Sequence, residues 1–336
     1  MAKVDIVVPC YRYGHFLRQC VGSVLTQSMS DVRVLIIDDA SPDDSPEVAR
    51  QIAAADARVE LLLRDRNRGH VAAYNDGIAW AEAPYFLVLS ADDFLAPGAL
   101  RRAVTVMDAN PDVVLTYGAV IDFFPGDIIP ELRDSPDDAR WKVRSGVEFI
   151  RETCETVRNN VPTPSAIVRT SVQKAIGGYR PELYHAGDME MWMRFAAHGS
   201  VAVTDAVQAF YRLHGNNMST GVYRLVIDNY TQRKMAFDTL FSNDGREVPG
   251  AEELRRLADR RLGDSAFWTG MSQLVRGNFA LARQLFAFAN RLNPSTRFLP
   301  PLAHLGRISR PDRLAIAAVG DVIRRVGGTV TRRVRG

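Results

Sequence analysis

The sequence predicts a layered α/β protein with a C-terminal helical extension. Three observations carry that expectation. Short apolar runs alternate with helical spacing through the first 110 residues. A second block, about 111–215, mixes strand-like and helical stretches. From about 221 the pattern is helical to the end, turns such as "SNDGREVPG" (242–250) aside. Alternation of this kind implies right-handed crossovers and a parallel sheet covered on both faces.

The elements follow in order. "VDIVV" (4–8), "VRVLII" (32–37), "RVELLL" (58–63) and "YFLVL" (85–89) read as strands, because buried parallel strands are nearly continuous in apolar residues. Between the first two, Phe16, Leu17, Cys20, Val21, Val24 and Leu25 recur at helical spacing. Val71, Tyr74, Ile78 and Ala81 do so between the third and fourth. In the second block, 113–124, 165–169 and 208–214 are strand-like, 188–199 is helical, and the Pro/Asp-rich run 125–140 reads as loop. The stretch 266–294 reads as two helices joined near Gly277-Asn278, similar to a single tetratricopeptide-like hairpin.

At 336 residues, the length suits one large α/β domain plus an appendage. We divide it into 1–220, with halves 1–110 and 111–220, and a helical region 221–336. No apolar run approaches the ~18–20 residues of a membrane span. "VDIVVP" follows Met1 almost at once with no basic leader, so no signal peptide is expected. Cys10, Cys20 and Cys154 lack metal-type spacing and are odd in number, which points to a reducing cytoplasm.

Open α/β sheets bind ligands beyond the carboxyl ends of their strands. The first strand ends in "PCY" (9–11), the second in "DDASPDDS" (38–45) and the fourth in "SADD" (90–93). Asp38, Asp39, Asp92 and Asp93 should therefore converge on one edge. Four acids there are costly unless a divalent cation, or ligand hydroxyls and N–H groups, take up the charge. Each pair also has a plainer explanation. Asp38-Asp39 would open a turn and cap the helix beginning near Ser45, and Asp92-Asp93 would cap a helix at 97–109. No Walker loop, no G-x-G-x-x-G after the first strand and no G-x-S-x-G elbow appears. Nucleic-acid motifs are absent too, and an acidic body opposes binding to a phosphate backbone.

The chain resembles the family 2 glycosyltransferases of the GT-A fold, which implies a Rossmann-like nucleotide-binding architecture with a mixed, mostly parallel sheet. "DIVVPCYRYGHFLRQCVGSVLTQS…VRVLIIDDAS…NRGHVAAYNDGI…YFLVLSADD" is similar to their donor-binding half, and "PTPSAIVRTSVQKAIGGYRPEL…AGDMEMWMRFA…YRLHGNNMS" to their acceptor half. The resemblance covers about residues 3–220. It implies that Pro9 and Tyr11 line a nucleotide pocket and that Asp39, with Asp38 beside it, holds the base or ribose. Asn67 and Gly69 would border the same pocket. Asp92 and Asp93 would bind ribose and a divalent metal, Mg²⁺ or Mn²⁺, on the diphosphate. His214 would contact metal or diphosphate, and Asp188 would be the catalytic base. Ser90 stands where the family commonly has an acid, Cys10 where a hydroxyl residue is common and Arg12 where Asn is common. Taken without the family pattern, Asp188 reads as a helix N-cap, with Glu190 pairing to Arg194 at i+4.

These implications define an inverting, metal-dependent transferase that moves a sugar from a nucleotide-diphosphate sugar to a saccharide or lipid-linked acceptor. The expected setting is synthesis of a bacterial cell-surface polysaccharide or glycolipid. The alternative is a non-catalytic nucleotide-sugar-binding or scaffold protein. Residues 306–336 carry eight Arg and two Asp, so the tail is +6 and the remainder −3 in a chain of net +3. Ala315, Val319, Val322 and Val326, joined by Ile316 and Ile323, form an apolar stripe with arginines beside it. Such a segment rests on an anionic membrane or packs on the helical region. A cytoplasmic protein, peripheral at the inner face of the cell membrane, is the resulting expectation.

Overall fold

The computed structural model describes residues 2–134, 139–215, 217 and 226–306. Its first half alternates strand and helix as the apolar pattern dictates: β1 (Val4–Cys10), α1 (Gly14–Leu25), β2 (Val32–Asp38), α2 (Ser45–Ala55), β3 (Val59–Leu63), α3 (His70–Trp80) and β4 (Tyr85–Val88). A two-residue strand β5 (Phe94–Leu95) and α4 (Ala99–Ala109) follow, then β6 (Val113–Phe123), β7 (Trp141–Arg144) and α5 (Gly146–Thr156). The acceptor side continues with β8 (Ile167–Arg169), α6 (Thr170–Ile176), α7 (Gly187–Ala196) and β9 (Ser200–Arg212). The helical region contributes α8 (Val226–Ser242), α9 (Ala251–Val275), α10 (Phe279–Leu292) and the short α11 (Leu302–Leu305).

Among the described residues the strands form one sheet in the order β3-β2-β1-β4-β8-β6-β9-β5, with β7 on β9. The pairs β3–β2, β2–β1 and β1–β4 are parallel, whereas β8 runs antiparallel to both β4 and β6. The sheet is thus mixed, as expected. Cys10 pairs with Asp38, and Val7 with Val88, so the ends of β1, β2 and β4 share one edge.

Alternation along each strand sends side chains to two cores. Val4, Ile6, Val8, Val34, Ile36 and Leu87 pack with Leu17, Val21, Leu100 and Met107 of α1 and α4. Val7, Leu35, Ile37, Phe86 and Val88 pack on the other face with Phe149, Met191 and Phe195. That second core continues without interruption into the helical region through Phe237, Leu254, Leu262 and Leu285. Helices α9 and α10 form the hairpin that the sequence suggests. Gly277, at φ 82°, turns the chain between them, in a region that a residue with a Cβ enters at a cost.

Several elements escaped the sequence reading. β7 and α5 were not anticipated, and α5 opens with a capping box in which Ser145 Oγ accepts from the Glu148 amide. β9 begins eight residues before the predicted 208. The basic amphipathic segment 312–326 lies outside the described residues. No described helix is long and apolar enough to cross a membrane.

Candidate active site

A cleft of about 1160 Å³ opens at the shared strand edge. Pro9, Tyr11, Asp39, Asn67, Gly69, Asp92, Asp93 and Asp188 all line it. Residues distant in sequence meet there because parallel strands deliver their carboxyl ends to one edge. Asp38 and His214 are outside this lining.

The acids of the first pair have separate tasks. Asp38 Oδ2 accepts the Ser41 amide at 3.0 Å and so fixes the turn after β2, while its other oxygen is buried without a partner. Asp39 is 4% exposed and already fully engaged. Arg64 Nη1 donates to Oδ1 at 2.7 Å, the Arg68 amide donates to Oδ1 at 2.9 Å, and the Gly69 amide donates to Oδ2 at 2.7 Å. Arg64 itself is buried and also donates to Asp76. Asp39 thereby ties the Asn67–Gly69 turn, and the start of α3, to the end of β2. Neither acid caps α2, whose N-cap is Asp44. The turn-forming explanation holds for Asp38 and the capping one for neither.

The second pair is different. Asp93 Oδ1 accepts the Arg212 amide at 3.0 Å, and Asp92 Oδ2 faces His214 Nε2 at 3.2 Å. Burial raises the pKa of both carboxyls, and for Asp93 the neighbouring Asp92 charge raises it further. Arg212 is the nearby buried cation, yet its Nε donates to the Asp92 carbonyl at 2.8 Å and not to a carboxylate. The guanidinium lies over Phe16 and Phe123, at 4.2 and 4.6 Å from the ring centroids. Asn217 closes this segment by donating to the Arg212 carbonyl at 2.9 Å. Helix α4 is capped at Gly98, so this pair does not cap either.

Asp188 occupies the second position of α7, whose N-cap is Ala186, and its carboxyl turns away from the helix amides. Thr163 Oγ1 donates to Asp188 Oδ2 at 2.6 Å from a 3₁₀ turn bracketed by Pro162 and Pro164. The Tyr179 hydroxyl reaches the same carboxyl, and burial raises the acid's pKa against both contacts. His70 is close enough to feel the Asp188 charge, and burial holds its pKa below the usual histidine value. The capping explanation for Asp188 is therefore not what the carboxyl does, whereas the Glu190–Arg194 pair forms as read, at 2.9 Å.

Sequence reasoning passed over Thr163, Tyr179, His70, Arg64 and Arg212 as site residues. Thr163 had a visible signal in "PTPS", since a hydroxyl between two prolines is held stiffly. Arg64 had one in the charge that follows an apolar strand. Among the described residues, no cluster of three or more His, Cys, Asp or Glu is arranged to hold a metal ion. Asp92 and Asp93 nevertheless provide hard oxygen ligands, and among the described residues no arginine or lysine side chain bonds to either carboxylate. That donor set fits a divalent cation that completes its shell from substrate phosphates and water.

The sheet order and the acid-lined strand edge define a GT-A transferase fold, and the comparisons agree. The chain belongs to glycosyl transferase family 2, whose model matches residues 5–175. An uncharacterized glycosyltransferase of Haemophilus influenzae is 35% identical over 118 residues, which are 35% of this chain and 47% of that relative. The chain thus spans less than half of that relative's length. The structure of S. aureus TarS 1-349 in complex with UDP-GlcNAc superposes with a TM-score of 0.63 at 16% identity, covering 97% of this chain and 92% of TarS 1-349. The mannosyltransferase PcManGT of Pyrobaculum calidifontis, in complex with GDP-Man and Mn²⁺, gives 0.57 at 14% identity, covering 96% and 87%. These likenesses establish the fold.

Proposed function

We propose that the protein transfers a sugar, with inversion, from a nucleotide-diphosphate sugar to a hydroxyl of a saccharide or lipid-linked acceptor. The observation that carries this reading is Asp188: a half-buried carboxylate, aimed by Thr163 into the same cleft as Asp92 and Asp93. The acceptor hydroxyl gives its proton to Asp188 as its oxygen attacks the anomeric carbon. The bond from that carbon to the β-phosphate oxygen breaks, and the nucleoside diphosphate leaves. One base and one displacement invert the anomeric centre, and no carboxylate nucleophile is needed. Pro9, Tyr11 and Asn67 border the nucleoside, and Asp39 sets the turn that presents Gly69. Asp93 and His214 would hold Mg²⁺ or Mn²⁺, which offsets charge on the leaving diphosphate when bound. PcManGT, with its Mn²⁺ and GDP-Man, is a precedent for that cation on this fold. His70 lies close enough to the base for each to feel the other's charge, and burial lowers its pKa.

Asp188→Asn tests the assignment. Shape is kept and the proton acceptor is lost, so turnover should fall by roughly 10²–10⁴ while donor affinity stays close to wild type. A panel of nucleotide sugars, assayed by release of nucleoside diphosphate, supplies the readout. Near-normal turnover in the variant would take Asp188 out of the base role, and no release by the wild-type protein from any donor would favour the binding or scaffold alternative.

The setting we infer is bacterial cell-surface polysaccharide or glycolipid synthesis, at the cytoplasmic face of a membrane. The basic tail supports it, as do Phe298, Leu299 and Leu302 just before that tail, which are 85%, 72% and 66% exposed. Each basic residue near an anionic surface contributes about 1 kcal/mol. The full chain should co-sediment with anionic liposomes at low salt and be released as salt screens the attraction. A chain ending at Ser309 should not co-sediment, and equal behaviour of the two would remove the membrane from this reading.

A further inference from the structure

Arg12 lies two residues beyond β1 and is the sole arginine or lysine among the described residues that line the cleft. Six acids line the same space: Asp39, Asp43, Asp92, Asp93, Asp122 and Asp188. Such a cleft repels any anionic ligand unless positive charge is supplied within it. The other nearby arginines are committed elsewhere. Arg64 is buried on Asp39 and Asp76, and Arg212 is held on the Asp92 carbonyl and the Gln19 side chain. Among the described residues, the exposed guanidinium of Arg12 has no hydrogen bond or ion pair.

The backbone at Arg12 adds an independent observation. Its φ is 65°, left-handed territory that a side chain with a Cβ occupies at a cost. The conformation is held from the neighbouring strand end, where Ser41 Oγ accepts the Arg12 amide at 3.0 Å. Ser41 is in turn fixed by Asp38 through its own amide, and Ala40 beside it also has positive φ, at 58°. Asp38 is thus given a use, although it does not line the cleft. A strained residue, pinned by a dedicated turn and presenting an unpaired cation to an acidic cleft, is arranged for a ligand and not for packing.

We infer that Arg12 is the protein's own cation for the donor diphosphate, pairing its guanidinium fork with phosphate oxygens. This rests on the nucleotide-sugar reading above and adds a residue to it. A guanidinium matches phosphate in geometry as well as charge, which an ammonium does not.

Calorimetry with UDP and GDP, and with uridine and guanosine, tests the inference both in EDTA and with Mn²⁺. Arg12→Ala should weaken nucleoside diphosphate binding by about tenfold or more, the range for a lost charge-assisted hydrogen bond. Nucleoside binding should be unchanged. Arg12→Lys should restore part of the affinity, and raised salt should narrow the gap between variant and wild type. Arg12→Gly removes the same cation but accepts the left-handed backbone, so it separates charge from strain: it should lose affinity as Arg12→Ala does. Undiminished diphosphate affinity in Arg12→Ala, or an equal loss for nucleosides, would overturn the assignment to phosphate. If the wild-type protein binds neither diphosphate in either condition, the donor reading of the cleft falls, and this inference with it.

Discussion

The same dipeptide, two adjacent aspartates, stands where β2 ends and again four residues beyond β4, at the same edge of one sheet. At the end of β2, Asp39 meets a buried arginine and two backbone amides. Beyond β4, Asp93 accepts the Arg212 amide and Asp92 faces His214, the Arg212 guanidinium acts on both only through space, and burial raises both pKa values. The first pair is internally compensated and holds the cleft's shape. The second is left short of positive charge and is suited to a ligand that brings some. Identical chemistry in the chain thus takes opposite roles according to what its surroundings supply.

The same substitution at the two positions should act in opposite directions. Asp39→Asn removes the countercharge of Arg64, whose side chain is only 4% exposed. Loss of one member of a buried ion pair costs about 3–5 kcal/mol. Urea unfolding should register that loss in full, and an unchanged midpoint would show that Asp76 alone satisfies Arg64. Asp93→Asn relieves a like-charge contact, so the unfolding midpoint should hold or rise. The Mn²⁺-dependent part of UDP binding should disappear in that variant, and in Asp93→Ala, when calorimetry with and without EDTA is compared. Retained Mn²⁺ dependence would take Asp93 out of the metal site.

Asp188 stands between these extremes, and its partner Thr163 gives the smallest predicted effect. Burial raises its pKa and the Thr163 hydroxyl lowers it in part. A base with a raised pKa is lost to protonation at higher pH than an ordinary carboxylate, so the rate should fall as pH drops through that raised value. Thr163→Val removes the lowering contact. The acid limb of the kcat/KM profile should then move to higher pH by about half to one unit, the worth of one hydrogen bond. An unmoved limb with a lower rate would mean that Thr163 serves only the fold.

Much of this was legible in the chain because it rests on local pattern. The four parallel strands announce themselves as apolar runs, and their order forces the acids to one edge. The Thr163 and Arg64 contacts were not legible as pairs, since each joins residues about 25 positions apart. β7 escaped because "WKVR" follows directly on a Pro/Asp-rich run and carries a half-exposed edge pattern. The division of labour between the two aspartate pairs was hidden for a deeper reason. It depends on which cations fold against each, and neither Arg64 nor Arg212 declares its destination in sequence.

Gln232, on α8, is 3% exposed and spends its whole amide on a loop of the other half of the chain. Its oxygen accepts the His185 amide at 3.1 Å, and its nitrogen donates to the Glu182 carbonyl at 3.0 Å. Leu183, Tyr184 and His185 of that loop are part of the cleft wall near Asp188. A working fragment therefore cannot be trimmed to the stretch that the family model matches. Cutting before α8 strips the brace from a wall of the cleft, and grafting a foreign helical region changes the footing of that wall even where every aspartate is kept.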